Sequence, residues 1–568
     1  MTRHLKRIRA CRGVVDLQVK ICNKFDKPGK ISPGLSFSKR FQVGYNRRMH
    51  LRGQITLVLL LIPIMTTLTA CTREVDERTW TPPAYLELSV TPVSSSAVST
   101  TPPEAATPTP FQLPPTRDPN TPILLPTPDL PHGIPTPITV PESYIVQPGD
   151  TIGIIARKFG LRPESIVRAN SLVNPSYLEV GQVLALPSNS ATSVGPSFKI
   201  IPDSELIFGP FNMIFDTGQF IQSKGGYLSS YAEEADGKMM TGAQIVERIA
   251  REYSVNPKLL LAVLDYQAGW VSNSKPNPDT LTYPLGFDDG WHTGLYKQLA
   301  WGANMLNYGF YGWQVNAFPQ WTLADGTMVT PDATINAGTA GLQHFFAQVD
   351  DYATWQNDVN LNGLFATYYL NFGYPFDYTF EPILPPGLSQ PEMSLPFGYG
   401  ETWNFTGGPH GGWDTGSAWA ALDFAPPGEG AGCTSSNYWV TAIADGLVIR
   451  SENGNVIQDL DGDSYEETGW TVLYLHLDSW ERVPVGSYLK KGDRIGHPSC
   501  EGGVSFATHL HLARRYNGMW IAADGPIPFI LDGFISSGTG IEYDGYLTRG
   551  AQQKQAWDGY NAVNQISR

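Results

Sequence analysis

The sequence predicts a multidomain protein: a small βααβ module, a mainly α middle region and an antiparallel, β-rich carboxy-terminal region. Three observations carry this reading. The chain has 568 residues, more than a single hydrophobic core organises. A stretch dominated by Pro, Thr and Ser, residues 72–142, cannot bury a core and sets the amino terminus apart from the rest. Beyond it, apolar residues recur at helical spacing up to about residue 390 and at strand spacing from about 396 onward.

Composition narrows the classes of function. The net charge is −14, which leaves no basic field to attract nucleic acid. Five cysteines in 568 residues exclude a disulfide-dense scaffold and a multi-cysteine zinc finger. The 15 Trp and 26 Tyr suit either a carbohydrate-facing surface or large cores.

Residues 1–71 read as an amino-terminal extension followed by a targeting segment. Arg47, Arg48 and Arg52 precede an apolar run from Ile55 to Met65, too short for a comfortable membrane span. Met49 is an alternative start, which would leave Cys11 and Cys22 untranslated. Leu68-Thr69-Ala70-Cys71 resembles the lipobox of bacterial lipoproteins. The resemblance implies acylation of Cys71 and attachment to a membrane through that lipid; an uncleaved signal anchor is the other reading of the same run. The Pro/Thr-rich segment 72–142 favours extended polyproline II and would span on the order of 200 Å at ~3.1 Å per residue.

Residues 143–188 form one unit. Tyr144-Ile145-Val146 reads as a strand. The turn Gln147-Pro148-Gly149-Asp150-Thr151 offers Asp150 or Thr151 as a helix cap. Ile152, Ile155, Ala156 and Phe159 then follow at helical spacing. Pro163 opens a second helix, Asn170 ends it, and Val180 to Leu184 returns as a strand. The unit resembles a LysM module, which implies binding to N-acetylglucosamine-containing glycan of peptidoglycan.

Within 200–390, Thr241 can cap a helix striped by Ile245, Ile249 and Tyr253, and Asn256-Pro257 starts another. Leu259 to Trp270 resembles the first catalytic helix of lysozyme-like lytic transglycosylases. Gln267 stands where that family has glutamate. Glutamine cannot protonate a glycosidic oxygen, so the resemblance implies a lysozyme-like domain without glycan cleavage. Asp265 lies on another side of the helix. The aromatic stretch Tyr308 to Trp313 fits a sugar groove or a core.

The chemistry concentrates in 396–568. Five of the ten histidines lie at positions 410, 476, 497, 509 and 511. Trp419 to Ala425 alternates as a strand carrying Asp423. Asp445-Gly446, between Val440–Ile443 and Leu447–Ile449, is a hairpin signal. Period-2 geometry puts Tyr474 and His476 on one face with Leu473, Leu475 and Leu477 opposite, and places His509 and His511 together. Zinc takes imidazole and carboxylate ligands and keeps a position open in catalytic sites. There is no His-Glu-x-x-His helix, which excludes a thermolysin-type site.

Pro409-His410, Ala421-Leu422-Asp423-Phe424, Tyr474-Leu475-His476-Leu477 and Thr508-His509-Leu510-His511 resemble, in order, the lysostaphin/β-lytic family of zinc metallopeptidases (M23 type). The resemblance implies Zn²⁺ on His410, Asp423 and His511, with His476 and His509 as non-ligand catalytic histidines. It also implies an endopeptidase acting on the stem or cross-bridge peptides of peptidoglycan, in the cell envelope outside the cytoplasm. The alternative is a non-enzymatic wall-binding scaffold or activator, as in relatives that have lost the ligands. His497 is at no motif position and reads as structural. Cys433 and Cys500 are either a disulfide or two buried thiols. Asp459 to Asp463, with Glu466 and Glu467, resembles a calcium loop with Ser464 in place of the turn glycine; a solvated acidic hairpin tip explains the same residues.

Overall fold

The structure is a computed structural model that describes residues 125–568, apart from residues 173, 189, 190, 192 and 429–431. The apolar run, the lipobox with Cys71 and most of the Pro/Thr-rich segment lie outside the described residues. Among the described residues no helix is long and apolar enough to cross a membrane.

The first module pairs β1 (Ser143–Ile145) antiparallel with β2 (Val183–Ala185) and packs α1 (Ile152–Phe159) and α2 (Pro163–Ala169) against them. Thr151 is the residue that caps α1, its Oγ1 accepting from the Ile154 N–H at 3.2 Å. Asp150 instead closes the preceding turn, accepting from Gln147 N–H and Tyr144 O–H. Asn170 ties the end of α2 to β2 by bonding the Ala185 backbone in both directions. Ile155, Ile166 and Leu184 are fully buried at the centre.

This module is bolted to its neighbour. Arg162 donates to the carbonyls of Thr322 and Ala347 and to the Gln348 side chain, at 2.8–3.1 Å. Met328, from the next region, completes the module's core. The end of the Pro-rich segment is pinned as well. His132 stacks on Trp313 at 4.5 Å, and the Asp129 and His132 N–H groups bond Thr334 and Ala333. Residues 129–132 are therefore held against the helical region by ring stacking and backbone bonds.

The region that follows is mainly helical, with short hairpins. In order come β3 (Ser193–Val194), α3 (Thr217–Lys224), β4 (Ala232–Ala235), β5 (Lys238–Thr241), α4 (Gly242–Tyr253), α5 (Pro257–Ala268), α6 (Leu295–Gln314), β6 (Trp321–Thr322), β7 (Met328–Thr330), α7 (Ala337–Val349), α8 (Tyr352–Asp358) and α9 (Leu364–Phe372). Thr241 and Gln244 make a reciprocal capping box on α4, and Asn256 caps α5 ahead of Pro257. In the aromatic stretch Phe310, Tyr311 and Trp313 are buried core, and Tyr308 is 43% exposed.

The carboxy-terminal region is built on a nine-stranded sheet. Its strands are β8 (Thr402–His410), β9 (Ala421–Ala425), β11 (Gly446–Glu452), β12 (Asn455–Asp459), β13 (Trp470–Leu475), β14 (Tyr488–Leu489), β16 (Leu510–Tyr516), β17 (Met519–Trp520) and β22 (Gln565–Ser567), in the order β14-β11-β12-β13-β16-β9-β8-β22 with β17 beside β16. β10 (Val440–Thr441) pairs with β15 (Arg494–Gly496), and β18 (Ile530–Leu531), β19 (Phe534–Gly538), β20 (Gly545–Arg549) and β21 (Gln552–Gln555) form a separate meander.

Two expectations are corrected here. Asp445-Gly446 is not a hairpin turn: β10 pairs with β15, while Gly446 begins β11, which pairs with β12 and β14. Asp445 accepts from Lys491 N–H and Lys490 Nζ, so its side chain caps another turn. Nor does the alternation of β13 run through Leu477. His476 takes φ +69°, which breaks the period, and Leu477 joins the core containing Val472 and Tyr474 rather than that of Leu473 and Leu475.

The sheet has a core on each face. Leu422, Phe424, Val472, Tyr474, Leu510 and Leu512 pack on one side. Ala421, Ile457, Leu473, Leu475, Ala513, Met519 and Trp520 pack on the other, in a single cluster with the helical region. The middle and carboxy-terminal regions thus share one hydrophobic core.

Candidate active site

The site is assembled by three adjacent strands. Asp423, on β9, lies directly across from His511 on β16 and Gly407 on β8. Directly opposed residues share a face, so Asp423 and His511 point the same way. Gly407 supplies room: a Cβ there would stand 2.4 Å from Asp423 Oδ2. The register of β8 shifts between Gly407 and His410, and this irregularity swings His410 into the group.

His410 Nε2, His511 Nδ1 and Asp423 Oδ1 lie 3.0–3.3 Å from one another. The far nitrogen of each ring faces a backbone carbonyl, His410 Nδ1 that of Gly408 at 2.7 Å and His511 Nε2 that of Gly412 at 3.1 Å. A ring nitrogen facing a carbonyl carries the proton, which leaves the inner nitrogens as lone pairs. Two lone pairs 3.0 Å apart repel unless something positive lies between them. Asp423 Oδ1 is moreover buried with no hydrogen-bond partner, a costly state for a carboxylate oxygen.

The electrostatics agree. Burial would push His410 down, but the Asp423 carboxylate beside it overrides this and raises it. Burial would raise Asp423, yet the facing His410 and His509 hold it well below the usual carboxylate range. Burial lowers His511. The pocket therefore draws a positive charge to its centre. Zinc meets the donor set: nitrogen and oxygen ligands, with ligand atoms about 3.3 Å apart when tetrahedral bonds are ~2.0–2.1 Å long.

Two more histidines face this group. His476 and His509 have ring centroids 4.6 Å apart, and His509 Nε2 is 3.8 Å from Asp423 Oδ1. Alternation would have turned His476 away from His511, since His511 lies opposite Leu475. The positive φ brings His476 round, to a ring separation of 6.2 Å from His511. His476 Nδ1 faces the Glu501 carbonyl at 3.2 Å and His509 Nδ1 the Ala507 carbonyl at 2.8 Å. Burial, followed by the neighbouring His509 and His511, pushes His476 down to about 3. Its Nδ1 faces a carbonyl and carries the ring proton, which leaves Nε2 as the lone pair toward the site.

Other singled-out residues lie elsewhere. His497 is buried between Trp439 and Trp480 and bonds the Tyr438 carbonyl. Asp265 is occupied by Ser272 and Asn371, and Gln267 donates to the Leu285 carbonyl, so both serve the packing of α5. Asp459, Asp461 and Asp463 cluster at the β12–β13 turn, where Asp459 accepts from the N–H groups of residues 461, 462 and 464. Cys433 and Cys500 form a disulfide.

Sequence reasoning missed Gly407, the carbonyls that orient the rings, and Tyr543, which stacks on His410 at 4.2 Å. The Gly407-Gly408 pair before Pro409-His410 is a visible signal of close approach. Tyr543 has none.

Comparison with known proteins finds the following similarities. The family model described as "LasA, N-terminal domain" matches residues 199–384, and the LysM domain model matches residues 144–187. The match over the helical region is thus to the amino-terminal domain of a protease. Protease LasA of Pseudomonas aeruginosa is 24% identical over 300 residues, covering 50% of this chain and 68% of that protein. Among solved structures, the M23 metalloprotease pseudoalterin from the deep sea is 24% identical with a TM-score of 0.26, covering 32% of this chain and all of that one. The catalytic domain of lysostaphin from Staphylococcus simulans is 26% identical with a TM-score of 0.16, covering 21% of this chain and 87% of that one. The chain is thus similar to protease LasA over half of its length and carries a region that matches the LysM domain model.

Proposed function

We propose that this protein is a zinc endopeptidase of the cell envelope, held to a membrane through lipid on Cys71, that hydrolyses amide bonds in the stem or cross-bridge peptides of peptidoglycan. The observation that carries the reading is Asp423 Oδ1, buried and unpartnered between the inner nitrogens of His410 and His511. The LysM match supports a hold on the glycan of the same polymer, and the Leu68-Thr69-Ala70-Cys71 motif supports the anchor.

His410, Asp423 and His511 would hold the ion. Zinc bound there would supply Lewis-acid polarisation of the scissile carbonyl and a water acidified to near-neutral pKa. His476, its Nδ1 proton held by the Glu501 carbonyl, presents the Nε2 lone pair that orients the attacking water and takes its proton. His509, less buried, faces the same opening with Nε2. In its doubly protonated form it donates a hydrogen bond from Nε2 to the developing oxyanion and gives that proton to the departing amine, and the proton that His476 took from the water replaces it. The Glu501 and Ala507 carbonyls hold the Nδ1 proton of each ring and so aim both Nε2 atoms at the opening.

Metal content and peptide release from purified peptidoglycan, measured on the same samples of the full chain, test the reading. His410→Ala, Asp423→Ala and His511→Ala each lose metal together with turnover. His476→Ala and His509→Ala keep the metal and lose about 10²–10⁴-fold in rate. Full metal in Asp423→Ala would overturn the ligand assignment. Full activity of the metal-free protein would overturn the mechanism, and an inert wild type that still sediments with peptidoglycan would make the chain a binding scaffold.

A further inference from the structure

The two histidines outside the ligand set are oriented by one short segment, Cys500–Thr508. Near its start the Glu501 carbonyl faces His476 Nδ1, and near its end the Ala507 carbonyl faces His509 Nδ1. Gly503 lies against the His476 ring, where a Cβ would be 3.5 Å from Cε1. Ser505 Oγ lies 3.4 Å from His509 Nδ1 and donates to the Ala507 carbonyl. None of these contacts reaches His410, Asp423 or His511.

The segment is fastened at both ends. At the start, the Cys433–Cys500 disulfide ties it to the loop after β9. Ser499 bonds the His476 carbonyl, and Arg482 pairs with Glu501 at 3.2 Å. Gly454 gives way to it from below, since a Cβ there would stand 2.1 Å from the Glu501 carbonyl oxygen. At the far end the fastening is Thr508. It is buried, its N–H donates to the Gly432 carbonyl, its Oγ1 accepts from Thr434 N–H at 3.0 Å, and its hydroxyl donates to the Thr434 carbonyl at 2.5 Å. Between the fastenings the segment is exposed, with Val504 at 85% and Phe506 at 89%. A protruding loop of this kind has little packing of its own to hold its carbonyls in place.

We propose that Thr508 is a positioning residue for turnover: its side-chain bonds to Thr434, together with the neighbouring disulfide, hold the carbonyls that set the tautomer and aim of His476 and His509. This rests on the role given above to those two histidines. The sequence of cause is local. Loss of the Thr508 hydroxyl frees the end of the segment, the Ala507 carbonyl leaves His509 Nδ1, and the ring turns or exchanges tautomer. The metal site, held by Gly408 and Gly412 carbonyls on other elements, is untouched.

The test uses the full chain with Thr508→Val and Thr508→Ser, reading metal content, kcat and KM on a soluble peptidoglycan peptide. Thr508→Val keeps its metal and KM and loses about tenfold to hundredfold in kcat, the cost of a catalytic group misplaced by about an ångström. Thr508→Ser, which keeps the hydroxyl, restores most of that rate. Wild-type kcat in the Val variant, or loss of its metal, would overturn the proposal, and so would a Ser variant as slow as Val. Should the Val variant not fold, the wild type is treated with a non-chelating phosphine reductant, with free thiols counted. Turnover should fall as the disulfide opens, at constant metal, and return on reoxidation; turnover unchanged with both thiols free would overturn the proposal. A wild type without turnover under any metal loading would instead count against the zinc-peptidase reading itself.

Discussion

His476 shows at the scale of one residue how backbone decides chemistry. Its neighbours in the strand, Leu473 and Leu475, are read correctly by alternation, and the histidine itself is not. A non-glycine residue at φ +69° is uncommon and costs of order 1 kcal/mol or more. The cost is met because it turns the ring toward His509 and His511. Gly407 is the opposite case, a residue whose contribution is the absence of a side chain. Gly407→Ala would press a methyl on the Asp423 carboxylate and move it from between the two imidazoles. A fall in metal affinity of about tenfold to hundredfold is expected, the scale of other changes just outside a metal's ligands. Competition with a chromophoric chelator measures it, and unchanged affinity would mean that Asp423 is freer than its packing indicates.

At the scale of elements, the strands β8, β9 and β16 matter because their register brings distant residues face to face. His410 and His511 are 101 positions apart; the hydrogen-bond ladder alone makes them neighbours. Elsewhere the informative element is α7, whose carboxy-terminal carbonyl Ala347 is satisfied by Arg162 of the LysM module. A cation at a helix carboxy terminus also complements the helix dipole. Arg162 makes four such bonds to three partners in a partly buried setting, each of the charge-assisted kind. Arg162→Ala should free the module from the helical region. Amide hydrogen exchange in Thr322–Met328 and at the end of α7 should rise by about tenfold or more, since ~1.4 kcal/mol is a factor of ten in an opening equilibrium. Exchange as slow as in the wild type would place the docking strength in Met328 and the β3–β7 pairing instead.

At the scale of the whole molecule, the sheet that carries the site is buried on both faces. Trp520 is the largest side chain it presents to the helical region. It is 2% exposed, its ring lies against Gly412, its N–H donates to the Tyr311 hydroxyl, and its indole N–H points at the Tyr253 carbonyl. Trp520→Ala should cost about 3–5 kcal/mol, as large-to-small changes in cores do. Calorimetry of the full chain should show a lower Tm and a split transition, as the sheet and the helices lose their common core. Because Gly412 also supplies the carbonyl that orients His511, metal affinity should fall in the same variant. A single transition at the wild-type temperature would show that the shared core is incidental to stability.

What is local can be read from the residues alone. Thr241 with Gln244, Asn256 with Pro257, and Pro163 with Asn170 set helix ends through side-chain bonds within a few residues, and these bonds read the same in sequence and in space. The alternation of Leu422, Asp423 and Phe424, or of Leu510, His511 and Leu512, sorts each strand into a core face and a site face for the same reason. The rest depends on contacts between distant parts of the chain. The Asp445-Gly446 signal failed because strand pairing across the chain outweighs a two-residue turn preference. His476 changed faces because the site repays a strained φ. The helical region became part of the core of the carboxy-terminal sheet because the second face of that sheet has apolar residues that only another region can cover. That Asp423 stands unpartnered between two lone pairs is a fact about three strands at once, and no stretch of sequence contains it.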